Sequence, residues 1–279
     1  MPEVCLGEQR LLAGTWVRGL SALVRVGVPA GEPLPDVFKT LARAQIHFRR
    51  GEVALIAGPT GSMKTMFVLA LAHDMGLPTL YFSNDSNEMT VVSRMVARVT
   101  GMVNDPRLER RILDDPEWAG NQLKSVDHIR WSFDESPTLD DIVEEAEAFE
   151  ELYGRYPAVI VVDILTKVDY SEDSQYQSDN RIVRELDSVA RQTGAAVIAV
   201  GHTSETEKNQ PHPGSQCQPR SAILQQIARL PTVVLTVAYQ YGTFFLSPVK
   251  NRHAFSDASG LTQFRLAVDA PTATMSDLA

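Results

Sequence analysis
Apolar positions along the chain fall into two alternating rhythms. Continuous apolar runs at Val53–Ala57, Ala158–Val162 and Ala196–Val200 read as strands covered on both faces. Thr79–Ser83 (TLYFS) and His128–Phe133 read as two more. Between them lie helical stretches: Met66–Ala72, Thr90–Thr100 ended by Gly101, and Asp179–Thr193 ended by Gly194. Pro137-Thr138-Leu139-Asp140-Asp141 opens an acidic helix that runs through Leu152 and stops at Gly154 and Pro157. Asn104–Asn121 is polar and proline-marked, which predicts short surface helices and turns. Thr232–Ala238 and Thr243–Val249 predict a strand pair about Tyr239–Gly242, and Thr262–Ala267 a last strand. Upstream, Glu8–Val24 carries a rough helical stripe, Pro29–Pro35 is a break, and Asp36–Ile46 predicts a short helix.

This alternation predicts an α/β fold: a mainly parallel central sheet with helices on both faces, a C-terminal β-hairpin, and ligands at the strand C-termini. The expected organisation is a helical or linker segment over residues 1–48, one α/β domain over 49–269 and a disordered tail over 270–279.

The junction after the first strand carries the chemistry. Gly58-Pro59-Thr60-Gly61-Ser62-Met63-Lys64-Thr65, followed by Met66 and an apolar helix, has the order of a phosphate cradle. Loop N–H groups and the helix N-terminus favour anions, Lys64 is placed to reach the β/γ-phosphates of ATP, and Thr65 to ligate Mg²⁺. The usual pattern has glycine immediately before the lysine; here that residue is Met63, and Gly61 lies two positions earlier. The competing reading is an ordinary strand–turn–helix with a chance Lys-Thr.

A second acid fits the same site. VIVVD ends a buried strand at Asp163, where a carboxylate can hold the Mg²⁺ hydration shell opposite Thr65. Asp85 and Glu88 follow the strand TLYFS, near the expected γ-phosphate, as candidates to orient or deprotonate water; Asp85 is favoured. Capping of the following helix is the alternative for each.

Composition narrows the class without changing it. The 279 residues carry 44% hydrophobic and 22% charged side chains, ordinary for a globular protein. Nothing approaches a membrane span, and no signal pattern opens the chain. Cys5 and Cys217 are far apart, which argues against a disulfide framework or zinc site and for a reducing cytoplasm. A net charge of −9 excludes a simple basic nucleic-acid coat but leaves room for a local basic lining.

Over roughly Gly51–Val268 these motifs together resemble the RecA-like P-loop NTPase core, and within it the ATPase domain of DnaB-type replicative helicases. TLYFS followed by Asp85 resembles the strand that carries the family's catalytic glutamate, whereas Glu88-Met89 matches its Glu-Met pair only with an insertion. Val197–His202 resembles the strand whose terminal residue senses the γ-phosphate, with His202 where glutamine is usual. Lys250-Asn251-Arg252 resembles the Lys-x-Arg element that reaches into a neighbouring subunit's nucleotide. The resemblance implies ATP and Mg²⁺ as cofactors, DNA as partner, and a homo-oligomeric ring or helical assembly. Some fifty residues precede the cradle, too few for the family's primase-binding domain, so a core-only, phage-like member is expected, working in the cytoplasm of an infected host.

DNA would then be held by the loops Thr166–Asn180 and Ser204–Arg220. Lys167, Lys208 and Arg220 are the candidates to neutralise phosphates, with Tyr170, Tyr176, His202 and His212 for stacking. Glu172, Asp173, Glu205 and Glu207 oppose this, and plain surface loops are the alternative. The leading expectation is an ATP-dependent DNA motor of the DnaB helicase type. A RecA-like recombination or strand-annealing ATPase comes second. A metal-dependent DNA nuclease built on Asp163, Asp169 and Asp173 comes last.

Overall fold
Nine strands share one sheet in the order β3-β2-β4-β5-β1-β6-β7-β8-β9. The structure, a computed structural model, describes residues 31–169, 175–204 and 216–278. The strands are β1 (Val53–Gly58), β2 (Thr79–Ser83), β3 (Ile129–Ser132), β4 (Val159–Asp163), β5 (Ala196–His202), β6 (Val233–Gln240), β7 (Thr243–Asn251), β8 (Phe264–Asp269) and β9 (Thr274–Asp277). Neighbours from β3 to β6 in the sheet pair in parallel, and β6 to β9 pair antiparallel. The expected fold class therefore holds, with the C-terminal hairpin enlarged to four strands.

The continuous apolar runs are strands because each alternate residue has its own core to enter. In β1, Ala54 and Ile56 join one apolar layer while Val53, Leu55 and Ala57 join the other. The first layer is built on α2 (Lys64–Met75), in which Met66–Ala72 are all buried. Such an all-round apolar helix belongs in a core, and Gly76 ends it in the left-handed conformation. The second layer is built on α6 (Leu139–Tyr153) and α7 (Gln175–Thr193). A reciprocal capping box between Thr138 and Asp141 starts α6, as the Thr-Leu-Asp-Asp sequence suggests. The expected helix after β2 is α3 (Glu88–Thr100), and Asn104–Asn121 resolves into α4 (Pro106–Asp114) and α5 (Pro116–Gln122).

Two expectations are corrected. The tail is not disordered: residues 274–277 form β9 along β8, and Met275 is buried. Asp277 accepts from the backbone N–H of Lys39 (2.9 Å) and Thr40 (2.8 Å), capping the short helix α1 (Lys39–Arg43). Nor is residue 48 the edge of the domain. Leu34, Phe38, Leu41, Ile46 and Phe48 sit in the same apolar layer as α2. The expected helix at Glu8–Val24 lies outside the described residues. No helix among the described residues is long and apolar enough to cross a membrane.

Candidate active site
Strand register converges the candidate residues at one end of the sheet. Gly58, the last residue of β1, pairs with His202 of β5, and Ser83 of β2 pairs with Asp163 of β4. From Gly58 the chain turns through residues 59–63 into α2. Gly61 has φ +77°, and Met63, where the usual motif has glycine, takes φ +63°, the left-handed region that favours glycine. The buried Lys64 folds back over the loop. Its Nζ donates to the carbonyls of Gly58 (2.9 Å) and Pro59 (2.8 Å) and lies 3.4 Å from Ser62 Oγ. Burial lowers the lysine pKa to about 8, against the opposing pull of Asp163 and Asp85.

Thr65, in the first turn of α2, donates its hydroxyl to Asp163 Oδ1 at 3.3 Å, across 98 residues of sequence. The other carboxylate oxygen, Oδ2, accepts from Tyr81 OH at 2.9 Å. Asp163 is only 3% exposed; burial raises its pKa, partly offset by the bonds from Tyr81 and Thr65. A hydroxyl and a carboxylate this close are hard oxygen donors of the kind Mg²⁺ takes together with nucleotide phosphates. No group of three or more His, Cys, Asp or Glu able to hold a metal occurs among the described residues. The buried oxygens Thr203 Oγ1 and Asn84 Oδ1 have no partner there, and their residues bond the backbones of Gly58 and Asp163. The residues fit a magnesium nucleotide: the loop and Lys64 for phosphates, Thr65 and Asp163 for the cation.

These groups open onto a cavity of about 380 Å³ lined by the loop, Asp85, Asp163 and His202. Asp85 is exposed, with Lys167 Nζ 3.9 Å from its Oδ1. Glu88 lies outside that lining; it is exposed in the first turn of α3, just past the N-cap Asn87. Burial and the charge of Lys64 hold the His202 imidazole below its usual range. Six wall residues went unread in the sequence: Ser86, Arg94 of α3, Asn104, Ile164, and Ala270 and Ala273 of the β8–β9 turn. Arg98 Nη1 ties that turn at Ala273 O (3.0 Å), and Asn104 N–H ties it at Pro271 O (2.7 Å).

The remaining candidates lie elsewhere. Asn251 pairs with Val233, beside Ala54, so Lys250 and Arg252 sit at the opposite end of β1 from Gly58. Arg252 is exposed, while Lys250 Nζ donates to the carbonyls of Ala228 (3.1 Å) and Arg229 (2.6 Å). Burial, then Arg252 and Arg220, lower the Lys250 pKa to about 8. Arg220 shares a second cavity with Lys250 and Arg229. Of the expected DNA contacts, Lys167 thus lies beside Asp85 of the first cavity's wall, Arg220 lines the second, and Lys208 lies outside the described residues. So do Tyr170, His212, the acids at 172, 173, 205 and 207, and the side chain of Tyr176. The nuclease trio does not assemble from the described residues: Asp169 lines a cavity between α6 and α7, away from Asp163, and Asp173 is not described.

Residues 41–208 match the family model described as AAA domain, and the chain belongs to that family. The Gene 65 protein of Mycobacterium phage L5 is 36% identical over 249 residues, 83% of this chain and 88% of that protein. Among solved structures, a DnaB-like replicative helicase, studied with its interactions with primase, superposes with a TM-score of 0.74 at 15% identity. That match covers 88% of this chain, which spans only 62% of the helicase chain. A second solved structure, of an ATPase domain, gives a TM-score of 0.73 at 16% identity, covering 88% of this chain and 91% of that one. The chain thus shares the RecA-like fold of those helicase ATPase domains, and as a member of the AAA domain family it is a P-loop ATPase.

Proposed function
We propose that this protein is an ATP-driven DNA motor, coupling Mg·ATP hydrolysis to movement on single-stranded or forked DNA within a homo-oligomer. In this reading the loop Gly58–Met66 and Lys64 bind the phosphates, Thr65 and Asp163 hold Mg²⁺, and His202 senses the γ-phosphate. Asp85 orients the attacking water; it lines the cavity and Glu88 does not, which favours it. Lys250 and Arg252 serve the neighbouring subunit's nucleotide, because neither is within reach of the cradle in its own chain.

One observation carries the DNA half of the proposal. The loop after β4, which follows the magnesium carboxylate, brings Lys167 Nζ to 3.9 Å from Asp85 Oδ1. A cation from a candidate DNA loop beside the candidate water-orienting acid gives strand binding a direct route to turnover. An exposed pair of this kind is worth well under ~1 kcal/mol, so a DNA phosphate can displace it. The test is ATP turnover with and without single-stranded and forked DNA, with the particle mass measured in ATP. Stimulation by DNA together with an ATP-dependent assembly is expected. Full turnover by a strict monomer, indifferent to DNA, would refute the motor.

A further inference from the structure
Tyr81 sits in the middle of β2 in an apolar run, TLYFS, where any large hydrophobic side chain would pack. It is fully buried, its ring 4.8 Å from that of Trp131 on β3. A phenol placed there carries a hydroxyl that must find a partner, since an unpaired buried donor costs about 1–3 kcal/mol. Register supplies one. Tyr81 pairs with Val161, and the two belong to the same apolar layer. Asp163, two residues beyond Val161, points to that layer by strand alternation. The phenol reaches along the strand to its carboxylate.

The two oxygens of Asp163 therefore have separate duties. Oδ2 is taken by Tyr81 OH at 2.9 Å, and Oδ1 faces Thr65 Oγ1 at 3.3 Å. We propose that Tyr81 is a positioning residue for the metal carboxylate: its hydroxyl fixes the Asp163 rotamer so that Oδ1 stays aimed at Thr65. This rests on reading the cavity as a magnesium-nucleotide site. Outer partners of metal ligands commonly tune affinity in this way, and losing one costs about 10–100-fold. Nothing else among the described side chains bonds Oδ2, so the orientation depends on this contact.

The test is Tyr81→Phe in the full chain, which removes one oxygen and keeps the ring against Trp131. Calorimetric titration of Mn²⁺ into the ADP-loaded protein should show affinity at least ~10-fold weaker. ADP affinity in excess EDTA should stay within about twofold of the parent, because the loop and Lys64 are untouched, and turnover should recover partly as Mg²⁺ is raised. Trp131→Leu serves as a packing control that loosens the ring without touching the hydroxyl, and should leave Mn²⁺ affinity near the parent value. Parental Mn²⁺ affinity in Tyr81→Phe would overturn the inference while leaving the ATPase reading intact. So would an equal loss of metal-free ADP binding, or an equal loss of Mn²⁺ affinity in Trp131→Leu. Absence of metal-dependent nucleotide binding in the parent chain would overturn the inference together with the site reading beneath it.

Discussion
Replacing Gly58 with alanine tests how tightly the phosphate loop is built. A Cβ at this position would lie 2.7 Å from Val237 O, 2.7 Å from Ser62 Oγ and 2.9 Å from Val237 Cγ2. Val237 lies one residue past the last β1–β6 pair, Ala57 with Thr236, but its pairing with Leu246 of β7 holds the strand, so its carbonyl cannot simply swing away. The Ser62 hydroxyl is also committed, donating to Pro59 O at 2.7 Å. Relief requires either β1 to part from β6 or the loop to shift. Overpacking of this kind costs about 1–3 kcal/mol. Each kcal/mol lowers Tm by about 2–4 °C in a chain of roughly this size, so a fall of about 2–12 °C is expected. Gly58 O and Ser62 Oγ are also two of the groups around Lys64 Nζ. The same shift should re-aim the lysine and weaken Mg·ADP binding by at least ~10-fold, equivalent to about 1.4 kcal/mol.

Gly61→Ala is the matched control. Its Cβ meets nothing within 4 Å, and the penalty is the positive φ alone, about 1–2 kcal/mol. Scanning calorimetry and Mg·ADP titration on the two variants separate crowding from backbone strain. Parental Tm and affinity in Gly58→Ala, or a larger affinity loss in Gly61→Ala, would refute the reasoning.

Three further outcomes follow from the site. Asp85→Ala should bind ATP normally yet turn it over at least ~100-fold more slowly, while Glu88→Ala stays near the parent rate; single-turnover kinetics that reverse the pair would move the acid to Glu88. Arg252→Ala should keep ATP affinity and lose most turnover, by ~10³-fold or more, and mixing it with Lys64→Ala should restore some activity; absence of rescue in a mixture shown to co-assemble counts against action in trans. Because Lys64 in the free site has a pKa of about 8, binding above that pH must take up a proton. Mg·ADP affinity should be flat below pH 8 and fall towards tenfold per pH unit above it; a profile flat to pH 10 contradicts the lysine's role.

Much of this architecture was legible because the apolar runs have no other use. VALIA, TLYFS, VIVVD and AVIAV are strands almost to the residue, since each is buried on both faces. The cradle was legible from order alone, strand then Gly58–Thr65 then helix, and the pairing of Thr65 with Asp163 followed from strand ends meeting. What stayed hidden depends on distant contacts. TMSD in β9 is four residues with one buried side chain; pairing with β8 and the cap it lends α1 make it a strand. Arg94 and Asn104 look like any polar residues near a helix, and only the β8–β9 turn, brought across by Arg98 and Asn104 itself, turns that surface into a cavity wall. Tyr81 reads as one more apolar strand residue until its hydroxyl is seen at Asp163. Met63 breaks the motif on paper, yet its backbone takes a left-handed conformation of the kind that favours glycine.

The most direct test of the central claim is ATP turnover by the purified chain with Mg²⁺, measured beside Lys64→Ala. Lys64 supplies the cradle's buried cation, and its removal leaves the phosphate charge unopposed. The parent should hydrolyse ATP only when Mg²⁺ is present, and Lys64→Ala should show no turnover above background while unfolding as cooperatively as the parent. Turnover by Lys64→Ala at the parent rate would contradict the account.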